Sequence, residues 1–472
     1  MVKKLNFIDI DIISKMEKNE LERGLKLVFN PPITSFDLSE SVRKKAGIVL
    51  PQQPITESIE LSKIENALGN KALEKFLALD QVISLMPYND YMKLKEKSDM
   101  EILFDWEEKI AKQISVIENL RSDDLRGEDS KREGILMLAV SNKQLNIVKG
   151  RHTEWVWREK ALDGSDAPDA IKLSEDISRI ANTLSENGVK TFVAIDSEIY
   201  DEAKNLFVRS KIFKVNVPEN MAKIFYTRDQ SVTWLKYPII GNMSLKLRRG
   251  EEEVLNEIYY NLNIYPMARA RWVKFDNMLV RAVMEGGNFF IIKTEKGVAL
   301  LTGIGVRGSN YATFKFLGEI LPEDVRIIGV PLAGYIKYWE FGAVHLDTAF
   351  AYLGDVGGER VGIIDPSRVG FYSALEYDRK SGMFRVTEFL KLMKELEVKI
   401  DEMPRESQSP ITMTNALNLG NGKLAVDSYN EKANEYIEKT YGLELLRIKI
   451  PQIEAGGGGV RCSTRELWEL NK

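Results

Sequence analysis

The chain has 472 residues, 44% of them hydrophobic, with 66 basic against 70 acidic side chains and a net charge of -4. That balance excludes a disordered chain and offers nucleic acid no overall positive field, and no apolar run approaches the roughly 20 residues of a membrane helix. One cysteine and two histidines, His152 and His345, exclude an internal disulfide and a multi-cysteine or His-rich metal centre.

In chain order, the opening segment MVKKLNFIDIDIISKMEKNE sets two lysines ahead of apolar residues, but Asp9 and Asp11 interrupt the stretch a signal peptide would need. This predicts a cytoplasmic protein. Through residue 130 apolar positions recur three to four apart, as over Ile59–Leu79 and Asp99–Arg121. Residues 1–130 are therefore expected to form a mostly helical accessory region, suited to regulation or to assembly of a homo-oligomer. From residue 131 the texture changes to short apolar strands (ILMLAV, KTFVAI, NFFII, GVALL, VRIIGV, RVGIID, KLAVDS, LLRIKI). These alternate with amphipathic helices over Ala170–Asn187, Glu251–Leu262 and Val386–Leu396. The pattern predicts an α/β region over residues 131–472.

Within that region a loose repeat recurs, in which a polar signature precedes a strand, a Gly- or Pro-containing turn, a second strand, a helix and a closing strand. Three copies begin TRDQSVTWLKYPIIGN at Thr227, EGGNFFIIKTEKGVALLTG at Glu285 and HLDTAFAYLGDVGGERVGIIDP at His345. A weaker copy, TNALNLGNGKLAVDS, begins at Thr414, and GGGGVRCST at Gly456 is expected to complete a fifth unit begun near residue 135. Units of about 55 to 70 residues cannot each bury a core, so they are expected to close around one axis with their opening residues pointing at it. Asp229, Glu285, His345, Asp347 and Cys462 would then meet in one pocket.

Those side chains suit one another chemically. A cysteine with a histidine supplies a nucleophile and a proton carrier. His345 and Asp347, two apart at an expected strand start, would share a face. A guanidinium presents five N–H donors in a fork, and carboxylates such as Asp229, Glu285 and Asp347 can hold it while exposing its carbon. Each acid also has a plainer use: Asp229 can pair with the adjacent Arg228, and Glu285-Gly-Gly can form a turn.

TRD ending at Asp229, EGGN at Glu285, HLDT at His345 and GGGGVRCST around Cys462, in this order, resemble the guanidino-modifying enzymes of the pentein fold, and most of all arginine deiminase. The resemblance covers about residues 135 to 472 and implies a five-bladed, pseudo-symmetric α/β propeller that needs no metal or organic cofactor. It implies Cys462 as nucleophile, His345 as general acid/base, and Asp229, Glu285 and Asp347 as guanidinium-binding carboxylates, with Glu285 also assisting proton transfer. It further implies substrate-binding roles for Arg248, with Arg249 as the competing neighbour, for Arg307, and for Tyr226 beside the TRD motif. The implied reaction converts arginine to citrulline and ammonia through a covalent Cys462 intermediate.

The chain departs from the family pattern at Asn288 (usually Asp), Tyr226 (Phe), Ser463 (Met) and Gly457 (Arg). Loss of that last arginine leaves agmatine or a methylated arginine open as substrate, and an amine in place of water would make the protein an amidinotransferase. A catalytically silent binding module of the same fold is a further alternative, disfavoured by retention of all five catalytic residue types. GIGVRG over Gly303–Gly308 formally satisfies G-x-G-x-x-G, but VRIIGV ends in Pro331 where the dinucleotide fingerprint needs an acid. His152 is expected to be a surface or packing residue.

Overall fold

A computed structural model describes residues 9–36, 56–145, 163, 168–219, 221, 223–305, 309–332, 343–369, 373–404 and 414–470. These form a mixed α/β structure with six sheets among the described residues. Five of the sheets share one motif: two antiparallel strands, then a helix, then a third strand parallel to the second. The motif runs through Ser231–Val232, Ile239–Ile240, helix Glu251–Asn261 and Ala268–Arg269. It recurs in Phe289–Thr294, Gly297–Ile304, helix Tyr311–Ile320 and Arg326–Pro331. The third copy joins Phe350–Val356 and Glu359–Ile364 to Val398–Glu402 through helix Phe389–Glu395, and the fourth joins Leu417–Gly420 and Lys423–Asp427 to Glu444–Ile448 through helix Glu431–Tyr441. The fifth is assembled from both ends of the α/β region. Arg465–Leu467 lies antiparallel to Gly134–Ala139, which runs parallel to Lys190–Asp196 across helix Ala170–Glu186.

The helix starts obey local rules. Asp169 accepts from the backbone N–H groups of Ile171 and Lys172 at 3.0 and 2.9 Å, and Asp99 accepts from Ile102 at the head of Met100–Glu118. Two sequence expectations are corrected. The helix expected over Ile59–Leu79 is a strand, Thr56–Glu60, followed by helices Leu61–Leu68 and Ala72–Leu85, separated at Gly69, whose φ of 63° an L side chain rarely adopts. The strand forms because Ser58–Glu60 pairs with Met278–Val280, a partner that periodicity alone does not reveal. Likewise Val386–Glu388 belongs to strand Met383–Glu388, paired with Ser373–Asp378, and the helix begins only at Phe389.

The N-terminal helices are packed into the α/β region. Leu21, Phe76 and Leu79 share one apolar cluster with Leu136, Ile258 and Cys462. No helix among the described residues is long and apolar enough to cross a membrane.

Where the chain's late strand meets its early one, a buried ion network joins them. Arg228 Nη1 donates to both oxygens of Glu466 at 2.6 Å, and Arg132 Nη2 lies 3.5 Å from Glu466 and 3.5 Å from Glu128. Burial raises the Glu466 pKa, but Arg228 and Arg132 outweigh that and hold the carboxyl well below the usual range. Removing one member of such a group leaves an unanswered buried charge, so Glu466→Ala should destabilise the fold by about 3–5 kcal/mol. Urea unfolding of the two proteins measures this, and a loss below about 1 kcal/mol would show that the network carries little.

Candidate active site

The polar residues sit where each repeat enters its first strand. Asp229 precedes the strand at Ser231, Glu285 leads through a 3-10 turn (Gly286–Asn288) to Phe289, and His345 leads through another (Leu346–Thr348) to Phe350. Asn415 precedes Leu417 and Cys462 precedes Arg465 in the same way. His345 and Asp347 thus lie in a turn and not on alternating strand positions. They reach one centre because the turn bends Asp347 back toward Arg461.

His345 is held between two acids. Its Nε2 is 2.6 Å from Glu285 Oε2, and its Nδ1 is 3.4 Å from Asp229 Oδ1. The other oxygen of Glu285 accepts from the backbone N–H and the hydroxyl of Ser244, both at 2.7 Å. Burial disfavours the imidazolium, but Asp229, the hydrogen bond and charge of Glu285, and Asp347 outweigh it and raise the His345 pKa to about 9. Burial raises Glu285 in turn, and the opposing hydrogen bond and charge of His345 bring it down to about 2. The second glycine of EGGN makes room for this pair: a Cβ on Gly287 would lie 2.6 Å from His345 Nδ1.

Cys462 is the described residues' free thiol, 5% exposed. Asn415 brackets it, donating from Nδ2 to Sγ at 2.9 Å and accepting the Cys462 backbone N–H on Oδ1 at 2.9 Å. Asp347 Oδ2 is 3.7 Å from the sulfur. Burial pushes the thiol pKa well up, and the charges of Asp347 and Asp229 add to it.

The two aspartates are each anchored by an arginine. Arg248 Nη1 donates to Asp229 Oδ2 at 2.7 Å while Nε and Nη2 engage Glu251, the nearest contact being 2.8 Å. Arg461 Nη1 donates to Asp347 Oδ2 at 2.9 Å, Nε to Glu128 at 3.0 Å and Nη2 to the Phe289 carbonyl at 3.0 Å, with the guanidinium 4.0 Å above the Phe290 ring. Arg228, the sequence neighbour of Asp229, points instead to Glu466. The remaining oxygen of each acid, Asp229 Oδ1 and Asp347 Oδ1, is buried with no hydrogen-bond partner among the described residues.

Asp229, Glu285, His345, Asp347 and Cys462 are thus brought together, with Arg248 behind Asp229. Tyr226 lies against the four-glycine turn, its hydroxyl donating to the Ile453 carbonyl at 2.7 Å. Arg249 turns away and pairs with Glu57 at 2.7 Å. Arg307 and His152 lie outside the described residues, and Gly303, in the G-x-G-x-x-G stretch, packs against Asn288 in a strand. Sequence reasoning did not single out Asn415, Arg461, Glu128 or Ser244. Asn415 was within reach, since the repeat beginning at Thr414 places it where the other units carry their polar residue.

A family model described as arginine deiminase matches residues 144–469, well over half of the chain. The protein is therefore a guanidino-group hydrolase acting on C–N bonds. It belongs to the arginine deiminase family. Among solved structures it is similar to a dimethylarginine dimethylaminohydrolase adduct with S-methyl-L-thiocitrulline (15% identity, 71% of this chain and 99% of that one, TM-score 0.44). It is also similar to the product-bound N-terminal domain of ArgZ, an arginine dihydrolase from Cyanobacteria (15% identity, 71% and 98%, TM-score 0.47), and to unliganded AgrE (14% identity, 71% and 39%, TM-score 0.47). No curated protein matches.

With only two histidines in the chain, His345 can be followed by NMR once His152 is replaced. It should titrate near 9, against an ordinary 6.5, and Asp229→Asn should lower it. Because the folded value exceeds the unfolded one, the stabilisation from protonated His345 is full below 6.5 and lost as pH rises through about 9. The stability gap between the parent and His345→Gln should close across that window; a midpoint at or below 6.5 would contradict the carboxylate contacts.

Proposed function

We propose that this protein hydrolyses arginine to citrulline and ammonia, with Cys462 as nucleophile. The carrying observation is the pair of buried aspartates beside a buried thiol: Asp347 Oδ1 has no hydrogen-bond partner among the described residues, and Asp229 Oδ1 has only its 3.4 Å ion contact with His345 Nδ1. Orphan buried acceptors are costly, and a planar cation that donates to both removes the cost. It also brings a positive charge to the sulfur, opposing the burial and the carboxylate charges that hold the Cys462 pKa up.

The reaction then runs in two halves. On substrate binding the thiol proton passes to solvent, since His345 is already protonated, and the thiolate left behind adds to the guanidinium carbon and forms the S–C bond. Protonated His345 gives its proton to the departing nitrogen, ammonia leaves, and an amidino-thioether cation remains on Cys462. Neutral His345 next takes a proton from water, the hydroxide adds to the same carbon, and the S–C bond breaks to release the ureido product. The expelled sulfur recovers the proton left on the ureido oxygen. Glu285 fixes His345 through its 2.6 Å contact, and Asn415 aims the sulfur through the two hydrogen bonds that bracket it. Arg248 and Arg461 orient the two aspartates.

A second substrate reading has its own support. Arg248 is fully engaged by Asp229 and Glu251, and Gly457 stands where the family carries an arginine, which favours a guanidine without a carboxylate, such as agmatine; a methylated arginine is the other candidate substrate. An amidinotransferase would use the same first half. The five repeated sheets, closed by Arg465–Leu467 on Gly134–Ala139, support a five-bladed pentein propeller over residues 131–472, with residues 1–130 as accessory region in a cytoplasmic enzyme.

Incubating the protein with arginine, agmatine and methylarginines, with and without glycine as acceptor, and measuring ammonia and ureido product separates these readings. Acid quench during turnover should trap a protein adduct that is absent from Cys462→Ala; undiminished hydrolysis in that variant would refute the scheme. Asn415→Ala should lower kcat by about 10- to 100-fold, the value of one hydrogen bond to a charged sulfur, with a smaller effect on KM.

A further inference from the structure

A second cavity, of about 130 Å³, lies between the N-terminal helices and the strands Ala268–Arg269, Trp272–Phe275 and Met278–Arg281. A single buried water needs about 10–15 Å³ on this scale, and a cavity of about 150 Å³ holds a benzene-sized molecule, so there is room for a ligand of roughly six to eight heavy atoms. Phe29, Ile83, Tyr91 and Trp272 give it an apolar wall.

The charged groups in the wall are unevenly satisfied. Arg269 is committed to Glu253 Oε1 at 2.8 Å and to the Ser84 carbonyl at 3.2 Å. Arg281 is committed to Asn242 Oδ1 at 2.9 Å and to Glu57 at 3.3 Å. The side chains of Arg271 and Asp80, both half-buried, form no hydrogen bond or ion pair with each other or with any described residue. Burial pushes the Asp80 carboxyl up against the pull of Arg271, and pushes the Arg271 guanidinium down. Glu253 Oε2 is buried with no hydrogen-bond partner among the described residues. The lining therefore includes a guanidinium and two carboxylates with hydrogen-bonding capacity to spare. Glu253 Oε2 is costly to bury unless something donates to it, and the half-buried side chains of Arg271 and Asp80 can each take a ligand group of opposite charge.

We propose that this cavity binds a small, free, apolar α-amino acid of the size of alanine or valine. Its carboxylate would take the fork of Arg271 in bidentate fashion, its ammonium would donate to Asp80 and Glu253, and its side chain would lie on Phe29 and Trp272. The inference stands apart from the guanidino chemistry, since the ligand carries no guanidino group. It gives the N-terminal helices a part in recognition, because Asp80 and Tyr91 come from them and Arg271 and Trp272 from the α/β region. The cavity also adjoins the catalytic centre through backbone: Asn242 in its wall is paired with Met284, the neighbour of Glu285.

The test titrates the full-length protein with L-alanine and L-valine, following Trp fluorescence and thermal unfolding, with N-acetyl-L-valine and L-valinamide as controls lacking one charge. A saturable rise in Tm of about 1–4 °C is expected with the amino acids and none with the controls. Arg271→Gln and Asp80→Asn should each weaken binding tenfold or more while leaving hydrolase turnover intact, and Arg271→Lys should recover part of it. No saturable response to either amino acid up to about 50 mM, an equal response to the controls, or unchanged affinity in both variants would overturn the proposal and leave a cavity filled by water alone.

Discussion

The centre of this molecule is ruled by the need to answer buried negative charge. Glu128, Asp229, Glu251, Glu285, Asp347 and Glu466 are all buried within one region, and a carboxylate removed from water is tolerated only where cations and donors replace its hydration. Arg132, Arg228, Arg248 and Arg461 supply that replacement, each reaching from a different part of the chain. Arg132 and Arg228 meet Glu466 where the late strand Arg465–Leu467 pairs with Gly134–Ala139, so the seam that closes the sheet also carries part of the charge network.

The compensation is incomplete in a chemically useful way. Asp347 Oδ1 is left without a donor among the described residues, at a cost of about 1–3 kcal/mol, and Asp229 Oδ1 is met only by His345 Nδ1 at 3.4 Å. In the proposed reaction a guanidinium ion relieves both at once, so part of the substrate's binding energy is built into the empty site. Burial, with the charges of Asp347 and Asp229, holds the Cys462 thiol pKa up, whereas the same carboxylates with Glu285 outweigh burial at His345 and raise its pKa to about 9. The anchoring arginines each hold one oxygen of an aspartate, Oδ2 of Asp229 and Oδ2 of Asp347, and the latter is also the oxygen 3.7 Å from the Cys462 sulfur.

The N-terminal helices are bound into this frame by more than apolar contact. Their strand Thr56–Glu60 extends a sheet with Met278–Arg281, and Glu57 on it receives both Arg249 and Arg281. The turn Lys246–Arg248 is thereby tied to the N-terminal segment through Arg249, next in sequence to the arginine that holds Asp229. A cavity lined from both sides follows naturally from such a seam.

Much of this was legible in the residues. The α/β texture, the repeat, and the five polar residues at the heads of its units could be read because strand pattern and local polar signatures are short-range properties, and four motifs in order pointed to guanidino chemistry. What sequence could not supply was decided by contacts between distant segments. Thr56–Glu60 became a strand because Met278–Arg281 offered it an edge, and Asp229 chose Arg248 over the adjacent Arg228 because Glu466, 238 residues away, claimed Arg228. Asn415 gained its place beside Cys462 in the same way, across 47 residues. The sequence by itself determined which chemical groups head each unit; tertiary structure alone decided which charges answer one another, because a buried ion takes whichever partner the closed fold brings within hydrogen-bonding distance.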